Sequence, residues 1–319
     1  MRTMFIAITL LLMVAPLHAQ DDVIAPLGEI YTVGEHEMHL YCTGVNQGNP
    51  TVILEAGVAG YTLNWFELQP RLAEHTRVCS YDRLGYGWSS ELPDEFDMQQ
   101  AVDNLRGLLD AAQIAPPYIF VPHSFGGPVT RAYHAQYPEH TVGIILMDTV
   151  PLQMAEEVPF YEEALRAQLD SIRIFATMAR IRAATSDEPV FPPPPEEVPT
   201  YIAEAFASQV LEREFLETSI SEALFITSGL PQLNLPDSFG NIPLVVMSHG
   251  VANESAFMGA PMNSEQAAKA EAVWQRMQAE LTGLSPQGRL VIAEGSGHSI
   301  QLDNPELVVQ AVLEMMNQP

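Results

Sequence analysis

Six short, largely apolar runs recur along the chain: Thr51–Leu54, Arg77–Tyr81, Tyr118–Val121, Val142–Met147, Ile242–Ser248 and Arg289–Ala293. They lack the apolar–polar alternation of a strand that shows one face to water. Strands of this kind have both faces covered, which is the situation of a parallel sheet with helices on each side. Helical spacing does lie between them, as at Val102, Leu105, Leu108 and Leu109 within residues 98–114, and over Asn64–His75. A hairpin from Ile30–Val33 to Met38–Tyr41 over Gly34-Glu35 adds an antiparallel start, so the sheet is expected to be mostly parallel.

The alternation breaks between residues 151 and 236, which are helical in pattern and interrupted by Phe191-Pro-Pro-Pro-Pro195. It then resumes with the strand at Ile242, a helix around Ala267–Leu281, the strand at Arg289 and a last helix over 306–316, capped by Asn304 with Pro305 in its first turn. The expected organisation is an α/β core of residues 20–150 and 237–319 with a helical cap of residues 151–236 inserted into it.

With 319 residues, 47% of them hydrophobic, the chain can bury a large core. Forty acidic residues against fourteen basic ones give a net charge of −26. That argues against nucleic acid as a partner and disfavours anionic lipid surfaces and strongly anionic substrates. Lys269 is the only lysine, which leaves lysine-based chemistry little room. Residues 1–19 combine Arg2, the apolar run Phe5–Pro16 and Leu17-His18-Ala19, the pattern of a cleaved secretory signal too short to span a bilayer. The expectation is a secreted or periplasmic protein with no stable membrane insertion. In such a chain the two cysteines, Cys42 and Cys79, are expected to form a disulfide.

Ligands and catalytic groups of parallel sheets gather at the carboxyl ends of the strands. Here those ends carry Gly57-Val58, Asp82, Ser124, Asp148, the segment 249–254 and His298. A serine hydroxyl needs a base to take its proton and a carboxylate to orient that base, and all three residue types are present. Ser124 sits at the corner of the strand–turn–helix stretch YIFVPHSFGGPVTRAYHAQYP, where the turn lifts the hydroxyl and aims a helix N-terminus at a developing oxyanion. A nucleophile elbow reads Gly-x-Ser-x-Gly, and Pro122 stands where the first glycine is expected. Proline lacks an N–H, but at a strand exit one missing donor costs little.

The chain resembles the α/β-hydrolase fold superfamily, in particular a bacterial esterase-like branch. The resemblance rests on Ser80-Tyr-Asp-Arg-Leu-Gly-Tyr-Gly-Trp-Ser89, on His123-Ser124-Phe125-Gly126-Gly127, and on Gly295-Ser-Gly-His298 before the last helix. It implies Ser124 as nucleophile, His298 as base, and backbone N–H groups of Val58 and Phe125 as oxyanion donors. Asp82 and Arg83 are expected to brace the loop beneath the site, and His123 to pack beside it. The fold's usual strand order makes the strands of Cys42 and Cys79 neighbours. Relatives mostly carry the third catalytic residue after the strand matching Ile242–Ser248, but the segment from His249 to Ala256 has no aspartate. Asn253 is uncharged; Glu254 is one alternative, and Asp148 at the end of the preceding strand is the preferred acid. No metal or cofactor is implied, since His36 and His39 have no third ligand.

The expected activity is hydrolysis of a small-molecule ester, uncharged and fairly hydrophobic, through a Ser124 acyl-enzyme. Apolar cap residues Met154, Phe160, Ile174, Phe175 and Ile226 suit such a substrate, as they would also suit plain packing. Aminopeptidase, lactonase and carbon–carbon bond hydrolase chemistries remain alternatives, as does a non-catalytic ligand-binding protein. Dehalogenases and epoxide hydrolases are disfavoured because they resemble this pattern with aspartate in place of Ser124.

Overall fold

A computed structural model describes residues 24–186, 198–210, 212–251 and 263–317. The expected signal segment 1–19 and the alternative acid Glu254 lie outside the described residues.

Eight strands form one sheet: β1 (Glu29–Val33), β2 (His36–Thr43), β3 (Thr51–Glu55), β4 (Val78–Tyr81), β5 (Tyr118–Pro122), β6 (Thr141–Met147), β7 (Leu244–His249) and β8 (Gly288–Ala293). Their order is β1-β2-β4-β3-β5-β6-β7-β8. The β1–β2 and β2–β4 pairs are antiparallel and every later pair is parallel. The helices are α1 (Leu68–Ala73), α2 (Met98–Ala111), α3 (Gly126–Gln136), α4 (Met154–Glu157), α5 (Tyr161–Thr185), α6 (Thr200–Gln209), α7 (Arg213–Ser228), α8 (Ser264–Leu281), α9 (Ile300–Asp303) and α10 (Pro305–Met316). None of the described helices is long and apolar enough to cross a membrane.

The strands lack alternation because both of their faces are core. Ile53, Phe120, Ile144 and Leu146 point into one cluster with Val102 and Leu105 of α2, Val129 of α3 and Trp274 of α8. Their neighbours Val52, Leu54, Ile119, Val121, Ile145 and Met147 point into another with Leu68 and Leu72 of α1 and Val308 and Val312 of α10. The helices α4 to α7 all lie between β6 and β7 in sequence.

The expected helix over 64–75 is instead a 3₁₀ turn, Thr62–Trp65, followed by the short α1. Pro70 is the cause. Its ring would strike the carbonyl of Phe66 in a continuous helix, so regular structure cannot run through that turn. The boundary of α2 also comes earlier than expected, at Ala111 rather than 114.

Cys42 on β2 stands opposite Cys79 on β4 in the antiparallel register, and the two form a disulfide. They are 37 residues apart in sequence. The reduction in unfolded-chain entropy from closing a loop of this size corresponds to roughly 3–4 kcal/mol. The double variant Cys42→Ala/Cys79→Ala is therefore expected to unfold at lower denaturant. Thiol titration of the unfolded, non-reduced wild type should find no free thiol, and two would refute the link.

Candidate active site

Ser124 occupies the turn between β5 and α3 with φ +52°, a left-handed conformation that few non-glycine residues adopt. The turn is pinned from both sides: the His123 N–H donates to Glu55 O at 2.9 Å and the Ser124 N–H to Met147 O at 3.0 Å. Tight packing explains the two glycines that follow. A Cβ at Gly126 would lie 2.4 Å from Glu55 O, and one at Gly127 would lie 1.5 Å from Thr149 Oγ1. The Thr149 hydroxyl in turn donates to Ser124 O at 2.8 Å. Pro122 leaves a trace in the ladder. Pairing of β5 with β6 reaches Phe120↔Ile144, lapses over Val121-Pro122, and resumes as a single bridge, His123↔Met147. A residue without an N–H fits that gap.

Asp148 follows β6, with φ +42°, and is fully buried. Its Oδ2 receives the His298 ring Nδ1 at 2.6 Å. Its Oδ1 receives the Trp274 indole N–H at 2.9 Å and the His249 backbone N–H at 3.2 Å. The His249 ring Nδ1 lies 2.9 Å from Oδ1 and 2.8 Å from Oδ2. Burial alone would raise the Asp148 pKa, but the hydrogen bonds and charges of His249 and His298 win and hold it well below the usual carboxylate range.

His298 lies between β8 and α9 and is placed through its backbone as well as its ring. The His123 Nε2–H donates to His298 O at 2.9 Å, and the two rings pack with centroids 4.6 Å apart. Burial first, and then the His298 ring, lower the His123 pKa to about 3, so His123 acts as a neutral donor. Because Nδ1 of His298 faces Asp148, Nε2 is the nitrogen left to accept a proton. Ser124 and His298 line one cavity of about 340 Å³. Among the described residues the Ser124 hydroxyl makes no hydrogen bond; nucleophile–base contacts often tighten only when substrate is seated. The backbone N–H groups of Val58 and Phe125 likewise donate to nothing among the described residues, unlike those of Ser124, Gly126 and Gly127.

The remaining cavity wall is largely apolar: Val58, Val150, Tyr161, Leu165, Leu169, Ala223 and Ile226. The apolar cap residues noted in the sequence divide among wall, surface and core. Ile226 belongs to the wall, but Ile174 and Phe175 are 62% and 54% exposed, and Met154 and Phe160 pack in the core. On the long α5 the inward face is set by Leu165 and Leu169, one turn apart, and residues 174 and 175 fall outside that stripe. No lysine or arginine among the described residues lines the cavity.

His249 was assigned no role from sequence. Its Nε2 meets Glu271 Oε1 at 2.8 Å, so the ring is held between two carboxylates. Burial opposes its protonation, but the hydrogen bonds to Asp148 and Glu271 raise its pKa from 6.5 to about 9. The signal was present on α8, where Glu271, Trp274, Gln275 and Gln278 share one face. Gln275 Nε2 donates to His249 O at 3.1 Å and Gln278 Nε2 to Thr149 O at 2.7 Å. A polar face at helical spacing on a helix packed against the sheet marks where the site lies.

A histidine whose folded pKa is raised contributes stability that is full below its unfolded pKa of 6.5 and lost as pH rises through about 9. Wild type is thus expected to lose roughly 2–3 kcal/mol between pH 6.5 and 9 from this group. In urea titrations at both pH values, His249→Gln should show a smaller loss. Equal losses in both proteins would rule out a charged His249.

The family described as alpha/beta hydrolase fold matches residues 50–223. An uncharacterized protein of Bacillus subtilis, YqjL, is 24% identical over 83% of this chain and 83% of its own length. A 2-hydroxy-6-oxo-2,4-heptadienoate hydrolase of Pseudomonas putida is 30% identical over 40% of this chain and 47% of its own. Among solved structures, a thermophilic esterase from Thermogutta terrifontis aligns with a TM-score of 0.61 at 20% identity, over 90% of this chain and 96% of that one.

Proposed function

Since the chain belongs to the α/β-hydrolase fold family, we propose that it is a serine hydrolase that cleaves an uncharged, fairly hydrophobic carboxylic ester. The observation that carries this reading is the 2.6 Å hydrogen bond from His298 Nδ1 to buried Asp148, in the cavity that holds Ser124 at its left-handed turn. In the proposed reaction Ser124 Oγ attacks the ester carbonyl carbon and its proton passes to His298 Nε2. The carbonyl electron pair becomes an oxyanion facing the Val58 and Phe125 N–H groups. Collapse expels the alkoxide, which takes the proton from His298. Water then attacks the acyl-enzyme, with His298 again accepting and returning a proton, and releases the acid. Asp148 holds the His298 tautomer and stabilises its cation throughout.

The apolar wall and the lack of a described lysine or arginine there favour an uncharged acyl group over a carboxylate-bearing one. This argues against the dienoate-type substrate in the name of the Pseudomonas putida relative. A panel of p-nitrophenyl esters of rising acyl length tests the reading. Turnover of neutral acyl chains is expected, with the panel reading out their preferred length, and no turnover of any ester, with tight ligand binding, would favour a binding protein.

A further inference from the structure

The Arg83 guanidinium has five N–H groups, and five acceptors meet it. Nε and Nη2 donate to Glu222 Oε1 and Oε2 at 2.7 and 2.9 Å. Nη1 donates to Glu55 Oε1 and to Ala56 O, both at 2.7 Å, and Nη2 also donates to Gly57 O at 2.7 Å. Glu55 is the last residue of β3, whereas Glu222 lies on α7, outside the sheet; both are fully buried. Glu222 Oε2 also accepts the Tyr86 hydroxyl at 2.8 Å, and the Tyr86 oxygen accepts the Ala59 N–H at 3.2 Å. One carboxylate from α7 thus holds two side chains that grip the Ala56–Ala59 loop. The helix seats directly on the loop that carries them, since a Cβ at Gly85 would lie 1.9 Å from Thr218 Oγ1 of α7.

The grip bears on one peptide plane. In a trans peptide the N–H points away from the preceding carbonyl. Arg83 at 2.7 Å and the Gly60 N–H at 3.1 Å together hold Gly57 O, and so set the direction of the Val58 N–H, which the loop leaves without an acceptor among the described residues. We propose that Glu222 is a positioning residue which, through Arg83 and Tyr86, orients the Val58 N–H as an oxyanion donor and so makes catalysis depend on the seating of α7. This rests on the serine-hydrolase reading above.

The test is Glu222→Gln, whose amide oxygen can keep the contacts of Oε2 but then turns an N–H toward Arg83 Nε, and which removes the counter-charge. Loss of one well-placed oxyanion donor costs on the order of 10²–10³ in kcat, so a misdirected one should cost about 10–100-fold. The fall should appear in kcat for a p-nitrophenyl ester with KM changed less than about threefold. Affinity for an aryl trifluoromethyl ketone should fall by a similar factor. In that adduct Ser124 Oγ bonds to the ketone carbon, the proton moves to His298, and the carbonyl oxygen becomes the oxyanion. Glu222→Asp, which keeps the charge, should recover part of both losses.

A raised KM with kcat intact, or an unchanged ketone affinity, would overturn the proposal and leave Glu222 a mere cap anchor. If Glu222→Gln does not fold, Tyr86→Phe removes only the hydroxyl link; a smaller loss with the same kcat–KM split is expected, and wild-type kcat would overturn the proposal. Wild type itself serves as the control. If it fails to react with a fluorophosphonate, the serine-hydrolase reading falls; if it reacts and the variants match it, only the positioning role falls.

Discussion

Ser124→Ala is expected to lower kcat by roughly 10⁵–10⁶-fold, the scale on which loss of a serine nucleophile acts. A fluorophosphonate should label wild type at this one serine and leave the variant unmarked. The structure predicts how the fold should respond. The Ser124 hydroxyl has no hydrogen-bond partner among the described residues, and alanine keeps a Cβ at the same φ of +52°. Nothing that holds the turn is removed, because its anchors are the backbone bonds to Glu55 and Met147. The variant should therefore melt at or slightly above the wild-type temperature, since catalytic groups are often kept at some cost to stability. Labelling or turnover that survives the substitution would place the nucleophile elsewhere. A large drop in melting temperature would mean that the serine was structural.

The sheet was legible because its strands are buried on both faces, and a continuous apolar run such as Tyr118–Val121 needs no partner to be recognised. Ser124 and His298 were legible because each stands at a strand end within a short, glycine-rich motif. What did not show was set by contacts between distant elements. His249 lies 101 residues from Asp148, and the two meet only because β7 pairs with β6. Glu222 lies 139 residues from Arg83, on a helix whose docking onto the core no periodicity encodes. The cap wall is not legible in the sequence for a related reason. Apolar residues on α5 were visible, but which of them face the cavity depends on how that helix is rotated against α7. Pro70 is a local signal, since a proline at the seventh position of an expected helix divides it.

The second large effect is expected from Asp148→Asn, and the geometry fixes its direction. An asparagine here presents one oxygen and one NH₂ to a site built from donors. At the Oδ1 position stand the Trp274 indole N–H and the His249 backbone N–H, which can only donate. The asparagine oxygen must take that place, and the NH₂ then falls at the Oδ2 position against His298 Nδ1. Facing a donor, His298 Nδ1 has to become the acceptor, so its proton moves to Nε2, where it blocks uptake of the serine proton. The imidazolium also loses its counter-charge. A fall in kcat of about 10³–10⁴ is expected, with KM and the fold itself little changed, although stability falls as His249 loses one of its two counter-charges. Glu271→Gln should be much milder, because among the described residues Glu271 meets His249 and Gln275 and not His298. The comparison with Glu254→Gln decides between the two candidate acids. If Asp148→Asn stays within tenfold of wild type while Glu254→Gln loses several orders of magnitude, the carboxylate that serves His298 comes from the loop after β7, and the Asp148 contact is only a structural brace.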